Sequence, residues 1–272
     1  MPEEYRHIFL EQTASAIDYT SKKQGGIKYK IPPRNRHAHG RKIRQKLDEM
    51  WQRNQELAEE RKSISLPTKE GMYLEFESAP AYELATKSLE HRKSGIKLLS
   101  VRTETVMDEK IRKATVFIPT GQEQIFLRKV QAYIQEDTKY NKPKNQKLIE
   151  SLEDIKLAVL ESFWQGNKEW IPAQELEWCE IWLSDVSKEV EVGFRQLANE
   201  QLQIELQKES LEFPERRVLM GKVNRHQLQE LIAASPHIAE FRKASEIVFF
   251  DEMENKEQTE WAEDLLGRMD VD

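Results

Sequence analysis

Residue types that commonly carry out catalysis are few in this sequence and lie far apart. None of its six histidines stands in a run that would set a general base beside a nucleophile. The Gly-x-Ser-x-Gly turn that presents a hydrolase serine is missing. The sequence therefore predicts no catalytic residue, and an enzyme with an unfamiliar site stays an open alternative.

The single cysteine, Cys179, lies between Trp178 and Glu180 in a stretch typical of a strand. A lone cysteine in such a setting is more often a small packed side chain than a nucleophile. One cysteine forms no internal disulfide, which suits a reducing compartment. We therefore expect an unreactive thiol and a cytoplasmic protein.

Metal and phosphate sites are not indicated either. His37 and His39 are two residues apart, and such positions on a helix point in different directions. No Cys-x-x-Cys or His-Glu-x-x-His motif accompanies them, so we interpret both as solvated residues. Gly25 and Gly26 lie outside any phosphate-binding glycine motif and favour a flexible arm over a weak anion site. The sequence predicts no metal and no cofactor.

Charge is distributed unevenly along the chain. The net charge of −6 argues against nucleic-acid binding by the whole chain. However, ten Lys or Arg residues and no acidic residue lie in the basic arm, Tyr19–Leu47. This arm could be solvated, dock on an acidic protein surface, or follow nucleic-acid phosphates while Tyr29 stacks on a base. Its candidate partner-binding residues are Lys22, Lys23, Lys28, Lys30, Arg34, Arg36 and Arg41.

The opposite end, Asp251–Asp272, is strongly acidic. Within this acidic tail, Trp261 is followed at i+4 and i+5 by Leu265 and Leu266. These three apolar side chains need a surface to cover them, so we expect them to contact a partner.

Length and composition indicate a globular protein. The 272 residues are enough for two modest domains, and charged residues make up 33% of the chain. No signal-peptide apolar region and no apolar run of about 18 residues occurs, so we expect no membrane span.

A strand-helix-strand-strand-helix pattern occurs twice, over Gly71–Gln135 and Glu177–Ala239. A period of about 105 residues indicates duplicated domains rather than a solenoid. With a closing strand the pattern is the split βαβ, or ferredoxin-like, arrangement. The fold class predicted is α+β: two ferredoxin-like units preceded by the basic arm and a long helix over Asn35–Lys62.

Five local predictions complete this assignment. The first copy has a helix between Pro80 and Gly95 and no evident last strand. Leu148, Leu152, Ile155, Val159 and Phe163 follow helical spacing, which predicts one helix over Lys147–Gln165. Residues Ile238–Arg242 are predicted as a short helical turn, and Glu246–Phe250 as the closing strand of the second copy.

These elements divide the chain into five predicted segments. They are the arm and first helix at 1–67, the first unit at 68–140, a linking helix at 141–173, the second unit at 174–250 and the acidic tail at 251–272.

Three stretches resemble one known family. Gly25–Gly40 (GGIKYKIPPRNRHAHG) resembles the opening of bacterial subtilisin-like serine proteases encoded beside an AAA ATPase. Leu211–Ile232 resembles the segment that precedes their catalytic domain, and Trp261–Asp270 resembles the linker before the catalytic-aspartate strand. The Asp-Thr/Ser-Gly, His-Gly-Thr and Gly-Thr-Ser-x-Ala/Pro motifs of the subtilase domain do not occur. No catalytic residue is therefore carried over from the family.

The resemblance implies a regulatory role. Subtilase propeptides are similar to a ferredoxin-like unit that packs its sheet on the protease and lays a C-terminal tail along the substrate cleft. The second unit and the acidic tail hold the corresponding place. The chain is thus expected to be the non-catalytic N-terminal region of such a protease, controlling it and binding an AAA ATPase or substrate, in a setting that includes phage defence. The alternative is a nucleic-acid-binding adaptor that uses the basic arm.

Overall fold

The first element of the computed structural model, which describes residues 30–244 and Thr259, is the long helix α1 (Arg36–Ser63). The Asn35 side chain caps it by accepting a hydrogen bond of 3.0 Å from a backbone N–H of the first turn. Ile43 and Leu47 are buried along one face. The predicted helix is confirmed, and its first half belongs to the protein core.

Four strands form the first sheet in the spatial order β2-β3-β1-β4, and every neighbouring pair is antiparallel. A sheet of this order, with its connections on one face, is a ferredoxin-like unit. Its elements are β1 (Gly71–Glu77), β2 (Lys97–Val106), β3 (Glu109–Pro119), α2 (Gln124–Gln135), α3 (Gln146–Ser151) and β4 (Asp154–Leu157).

The second sheet repeats this order with one strand added at an edge: β5-β9-β6-β8-β7. Only the short β5 pairs in parallel, with β9. Its elements are α4 (Leu160–Phe163), β5 (Trp164–Gln165), β6 (Glu177–Leu183), α5 (Lys188–Gln196), β7 (Glu205–Phe213), β8 (Arg216–Val223), α6 (Arg225–Ala234) and β9 (Ile238–Lys243). The predicted α+β class with two ferredoxin-like units is confirmed.

The single helix predicted over Lys147–Gln165 is wrong. The chain instead forms α3, β4, α4 and β5 in succession. Strand β4 pairs with β1 in antiparallel register, with Ile155 opposite Phe76. The first unit therefore has its fourth strand, and the apolar spacing that suggested a helix reflects separate elements that bury side chains in turn.

The helix predicted between Pro80 and Gly95 is also wrong. Only two 3-10 turns, Thr86–Ser88 and Arg92–Ser94, occur there. Leu84 and Leu89 are nevertheless fully buried against the first sheet. Helix α1 supplies the helical layer that this stretch leaves incomplete, since it packs against both α2 and β4.

The close contact between α1 and α2 depends on Gly40. A Cβ atom at that position would lie 2.5 Å from Cγ1 of Ile134 in α2, too close for any larger residue without displacement.

The C-terminal prediction of the second unit is wrong as well. Residues Ile238–Arg242 are not a helical turn but most of strand β9, which lies between β5 and β6. The closing strand predicted at Glu246–Phe250 lies outside the described residues.

Strand β1 is buried on both faces of its sheet. Leu74 points into the core formed with α1 and α2, whereas Tyr73 points into the core of the second unit, edge-on to Phe163 with ring centroids 4.9 Å apart. The Tyr73 hydroxyl donates to the Ser235 carbonyl at 2.8 Å and accepts from the Ile238 N–H at 3.0 Å. The two units therefore share a buried interface in which Tyr73 is central.

Next to Tyr73 on the same face, Glu75 is buried among basic side chains. Its carboxylate pairs with Arg102 and, at 3.2 Å, with Lys156. Glu104 extends the cluster through bonds of 2.7 Å to both Lys113 and Lys168. Burial opposes ionisation of Glu104, but these hydrogen bonds outweigh it and lower its pKa to about 2.

We expect Tyr73→Phe to lower the free energy of unfolding by about 1–3 kcal/mol, because the substitution leaves a buried carbonyl and a buried N–H without their partner. Urea denaturation checks this, with Tyr140→Phe as the control because Tyr140 is 72% exposed. Equal stability of the two variants would contradict a structural role for the Tyr73 hydroxyl.

Candidate protein-docking face

Alternation along β6 gives the second sheet one closed face and one open face. Cys179, Ile181 and Leu183 are buried on the side of α5 and α6, and the residues between them are only partly buried. Trp178 and Trp182 therefore lie on the opposite side of the sheet, because successive strand side chains point to opposite faces.

A row of stacked side chains crosses this open face. The Trp182 and Phe213 rings are parallel within 17°, with centroids 5.4 Å apart. On the other side of Trp182, the Arg242 guanidinium carbon lies 4.1 Å from the ring centroid. Val218, the β8 neighbour of Trp182, is buried beside this stack. Strands β7, β6 and β9 thus each supply one layer: phenyl, indole and guanidinium.

Hydrogen bonds fix the orientation of the stack. The Trp182 Nε1–H donates to Glu180 at 2.8 Å. The Arg242 Nε–H donates to Glu240, also at 2.8 Å. Side chains held in this way lose little conformational freedom on binding, which favours their use as contact residues.

Large apolar side chains at the edge of the stack are open to solvent. Leu211 is 60% exposed and Phe213 is 44% exposed, and the register places Leu211 opposite Val218 on the same face. We name the set Trp182, Leu211, Phe213 and Arg242 the stacked face. Trp and Arg are the residue types most enriched among interface residues that dominate binding energy.

In residues 30–244, no group of three or more His, Cys, Asp or Glu side chains is placed to hold a metal ion. His39, expected to be solvated, is instead buried in α1, with Nε2 2.9 Å from the Ile149 carbonyl. Burial lowers the pKa of His39 and likewise that of His237. His39 is buried and His237 is partly buried.

The predicted partner-binding residues of the basic arm are only partly covered by the structure. Lys22, Lys23 and Lys28 lie outside the described residues. Arg34 pairs with Glu153, and Arg36 donates to the Tyr133 and Glu136 carbonyls at 2.6 and 2.9 Å. Lys30 lies 5.1 Å from the Tyr82 ring centroid, and Arg41 is exposed.

Neighbouring basic residues of α1 are also paired with carboxylates of this chain. Lys42 pairs with Glu153, Lys46 with Asp154 and Arg44 with Asp48. Much of the positive charge of α1 is therefore neutralised within the chain. The three apolar candidates of the acidic tail, Trp261, Leu265 and Leu266, lie outside the described residues.

Sequence reasoning did not identify the stacked face. The strict alternation in WCEIWLS could have placed Trp182 opposite Cys179. Arg242 gave no such signal, because its segment had been assigned to a helical turn. Phe213 required the β7–β8 register, which follows from the fold.

The family model of the Y4kK N-terminal domain matches residues 37–158. This range runs from the first turn of α1 to the residue after β4, and so covers α1 and the first unit together. No curated protein matches the chain.

Two solved structures show remote similarity. One, named for a glycine cleavage system transcriptional repressor, has 11% identity and a TM-score of 0.22 over 60% of this chain and 88% of that chain. The other, an unknown protein from Galdieria sulphuraria, has 9% identity and a TM-score of 0.21 over 56% of this chain and 81% of that chain. Scores this low establish neither a common fold nor a common function.

A membrane-crossing helix is also absent from the described part of the chain, where no helix combines the necessary length and apolar character.

Cys179 should be inert to alkylation in the folded protein. Its side chain is fully buried, and burial, with the nearby Glu177 charge, raises its thiol pKa to about 12. We expect iodoacetamide at pH 8 to modify Cys179 only after denaturation, as mass spectrometry would detect. Stoichiometric labelling of the native protein within minutes would contradict this reading.

Proposed function

We propose that this chain is a non-catalytic regulatory region that binds a subtilisin-like serine protease domain through the stacked face of its second unit. In this proposal the second sheet packs on the catalytic domain, as the sheet of a subtilase propeptide does. The acidic tail then continues toward the substrate cleft. The protein acts by controlling access to the protease and carries out no reaction itself.

The observation that supports this proposal most directly is the preoriented stacked face. An exposed Leu211 and Phe213 beside a fixed Trp182 form an apolar surface with a charged edge, which a folded protein surface can cover. The described residues offer no competing group of His, Cys, Asp or Glu side chains that could hold a metal ion.

The position of the last residues of the second sheet is a further support. Strand β9 ends at Lys243, and the Ala244 N–H donates to the Trp178 carbonyl at 3.1 Å. The segment that follows therefore starts at the second sheet. The proposal has the acidic tail, which follows in the sequence, reach a partner docked on that sheet.

The basic arm has a separate proposed role. The family resemblance suggests contact with an AAA ATPase or a substrate, in a cytoplasmic system that includes phage defence. Failure of the ATPase to be retained by the immobilised full chain at micromolar concentration would remove this part of the proposal.

Nucleic-acid binding stays a prediction, and the intrachain pairing of Arg34, Arg36, Lys42 and Lys46 leaves fewer bases free for it.

The docking proposal is tested by titrating the full chain into a separately prepared subtilisin-like catalytic domain and measuring cleavage of a peptide substrate. We expect inhibition by the native chain. Leu211→Glu and Phe213→Glu should each raise the apparent inhibition constant about 30-fold, because central interface residues contribute about 2 kcal/mol or more.

Val192→Glu is the matched control, since Val192 is 64% exposed on α5, on the helical side of the same unit. Its inhibition constant should stay unchanged. Uninhibited cleavage at saturating native chain would overturn the proposal, as would equal effects of all three substitutions.

A further inference from the structure

A second feature, unrelated to the stacked face, is a cleft where the first and second units meet. It has a volume of about 470 Å³. Its walls are the end of α1, residues 68–71 that lead into β1, residues 158–160 that lead into α4, and α6. A volume of this size suits a small ligand.

One ion pair closes one side of the cleft. Arg61 of α1 and Glu230 of α6 form a two-pronged contact, with Nη1–Oε1 3.0 Å and Nη2–Oε2 2.8 Å. Arg61 also donates to the Pro67 carbonyl through Nε at 3.1 Å and through Nη2 at 2.9 Å. Because Arg61 makes these four hydrogen bonds and has Glu230 as its carboxylate partner, its charge is matched within the protein.

Lys69 differs from Arg61 in having no anionic partner. Its backbone N–H donates to the Ala233 carbonyl at 3.0 Å, which ties this wall of the cleft to α6. Its Nζ lies 5.3 Å from the Tyr73 ring centroid. Among residues 30–244, no carboxylate lies within ion-pair distance of Nζ. An ammonium group has three N–H donors, so Lys69 can still donate hydrogen bonds to a ligand in the cleft.

Because Lys69 is largely removed from water, its charged form is disfavoured in the absence of an anionic partner. Burial, followed by the Arg61 charge, lowers the Lys69 pKa to about 8. The other charged groups around the cleft are Glu230, which is held by Arg61, and Glu60, which is exposed. Neither supplies Lys69 with a counter-charge.

The remaining cleft walls are mainly apolar. Leu57 and Ala58 of α1 face Val159, Ile232 and Ala233 across the space. The cleft thus combines one unpaired cation with surfaces suited to a short hydrocarbon group.

We propose that this cleft binds the carboxylate of a small organic acid, with Lys69 as its counter-ion and a short branched apolar tail against α1 and α6. A free acid and the C-terminal carboxylate of a short peptide share this chemistry. The site is independent of the proposed docking function and would remain if that proposal failed.

The test uses the full chain and two pairs of probes observed by NMR through the backbone amides of Lys69 and Ala233. The first pair is 4-methylpentanoate and 4-methylpentanamide, and the second is Gly-Gly-Leu with a free or an amidated C-terminus. We expect the acids to shift these amides in a saturable manner and the neutral amides to bind at least about tenfold more weakly. Binding by only one acid identifies which source of carboxylate fits.

Lys69→Gln should weaken acid binding about tenfold or more. Lys62 is exposed at the end of α1, so Lys62→Gln should leave acid binding unchanged. Binding by the native chain should also weaken as pH rises through about 8, because Lys69 then loses its proton. If Lys69→Gln does not fold, the acid and amide pairs on the native chain decide the question.

Saturable binding of acids but not amides, lost in Lys69→Gln, would establish the site. Three outcomes would each overturn the proposal. They are the lack of a saturable shift at roughly 20 mM probe, equal binding of acid and amide, and unchanged acid binding by folded Lys69→Gln.

Discussion

Strand β1 has to be covered on both faces, and this requirement governs how the rest of the chain is arranged. One face carries Leu74 and Phe76, which are covered by α1 and α2. The other carries Tyr73 and Glu75, which only the second unit and its connecting segment can enclose. A buried carboxylate is tolerated only where bases neutralise it, so the ionic cluster around Glu75 is a condition of this packing.

Because β1 is covered on both faces, the two units have the same topology but differ in the sheet surface that they can offer to a partner. Both faces of β1 are occupied, so the centre of the first sheet has little surface to offer a partner. The second sheet is covered by α5 and α6 on one side and carries the stacked face on the other. The first unit is therefore suited to holding the chain together, whereas the second has a surface available for binding.

The elements that sequence reasoning found are those whose pattern is local. Strand β6 alternates within seven residues, and Asn224 caps α6 in a capping box with Gln227. Strand β4 could not be found in this way, because four residues between two short helices keep helical spacing and become a strand only by pairing with β1, about 80 residues away.

The candidate site divides along the same line. The position of Trp182 relative to Cys179 follows from alternation alone. Its stacking partners Phe213 and Arg242 are brought to it by β7 and β9, whose registers depend on the completed sheet. Lys69 was equally hidden, because its significance comes from Glu230 of α6 pairing with Arg61 instead, a property of the assembled interface between the units.

Helix α1 explains why the first unit tolerates the loss of its own crossover helix. The stretch between β1 and β2 buries Leu84 and Leu89 but forms only 3-10 turns, which leaves part of the sheet uncovered. Helix α1 fills that part, and Gly40 allows it to approach α2 closely. The Y4kK N-terminal domain match over residues 37–158 fits this dependence, since it includes α1 with the first unit. We infer that α1 is a structural part of the first unit rather than a separate segment for contacting partners.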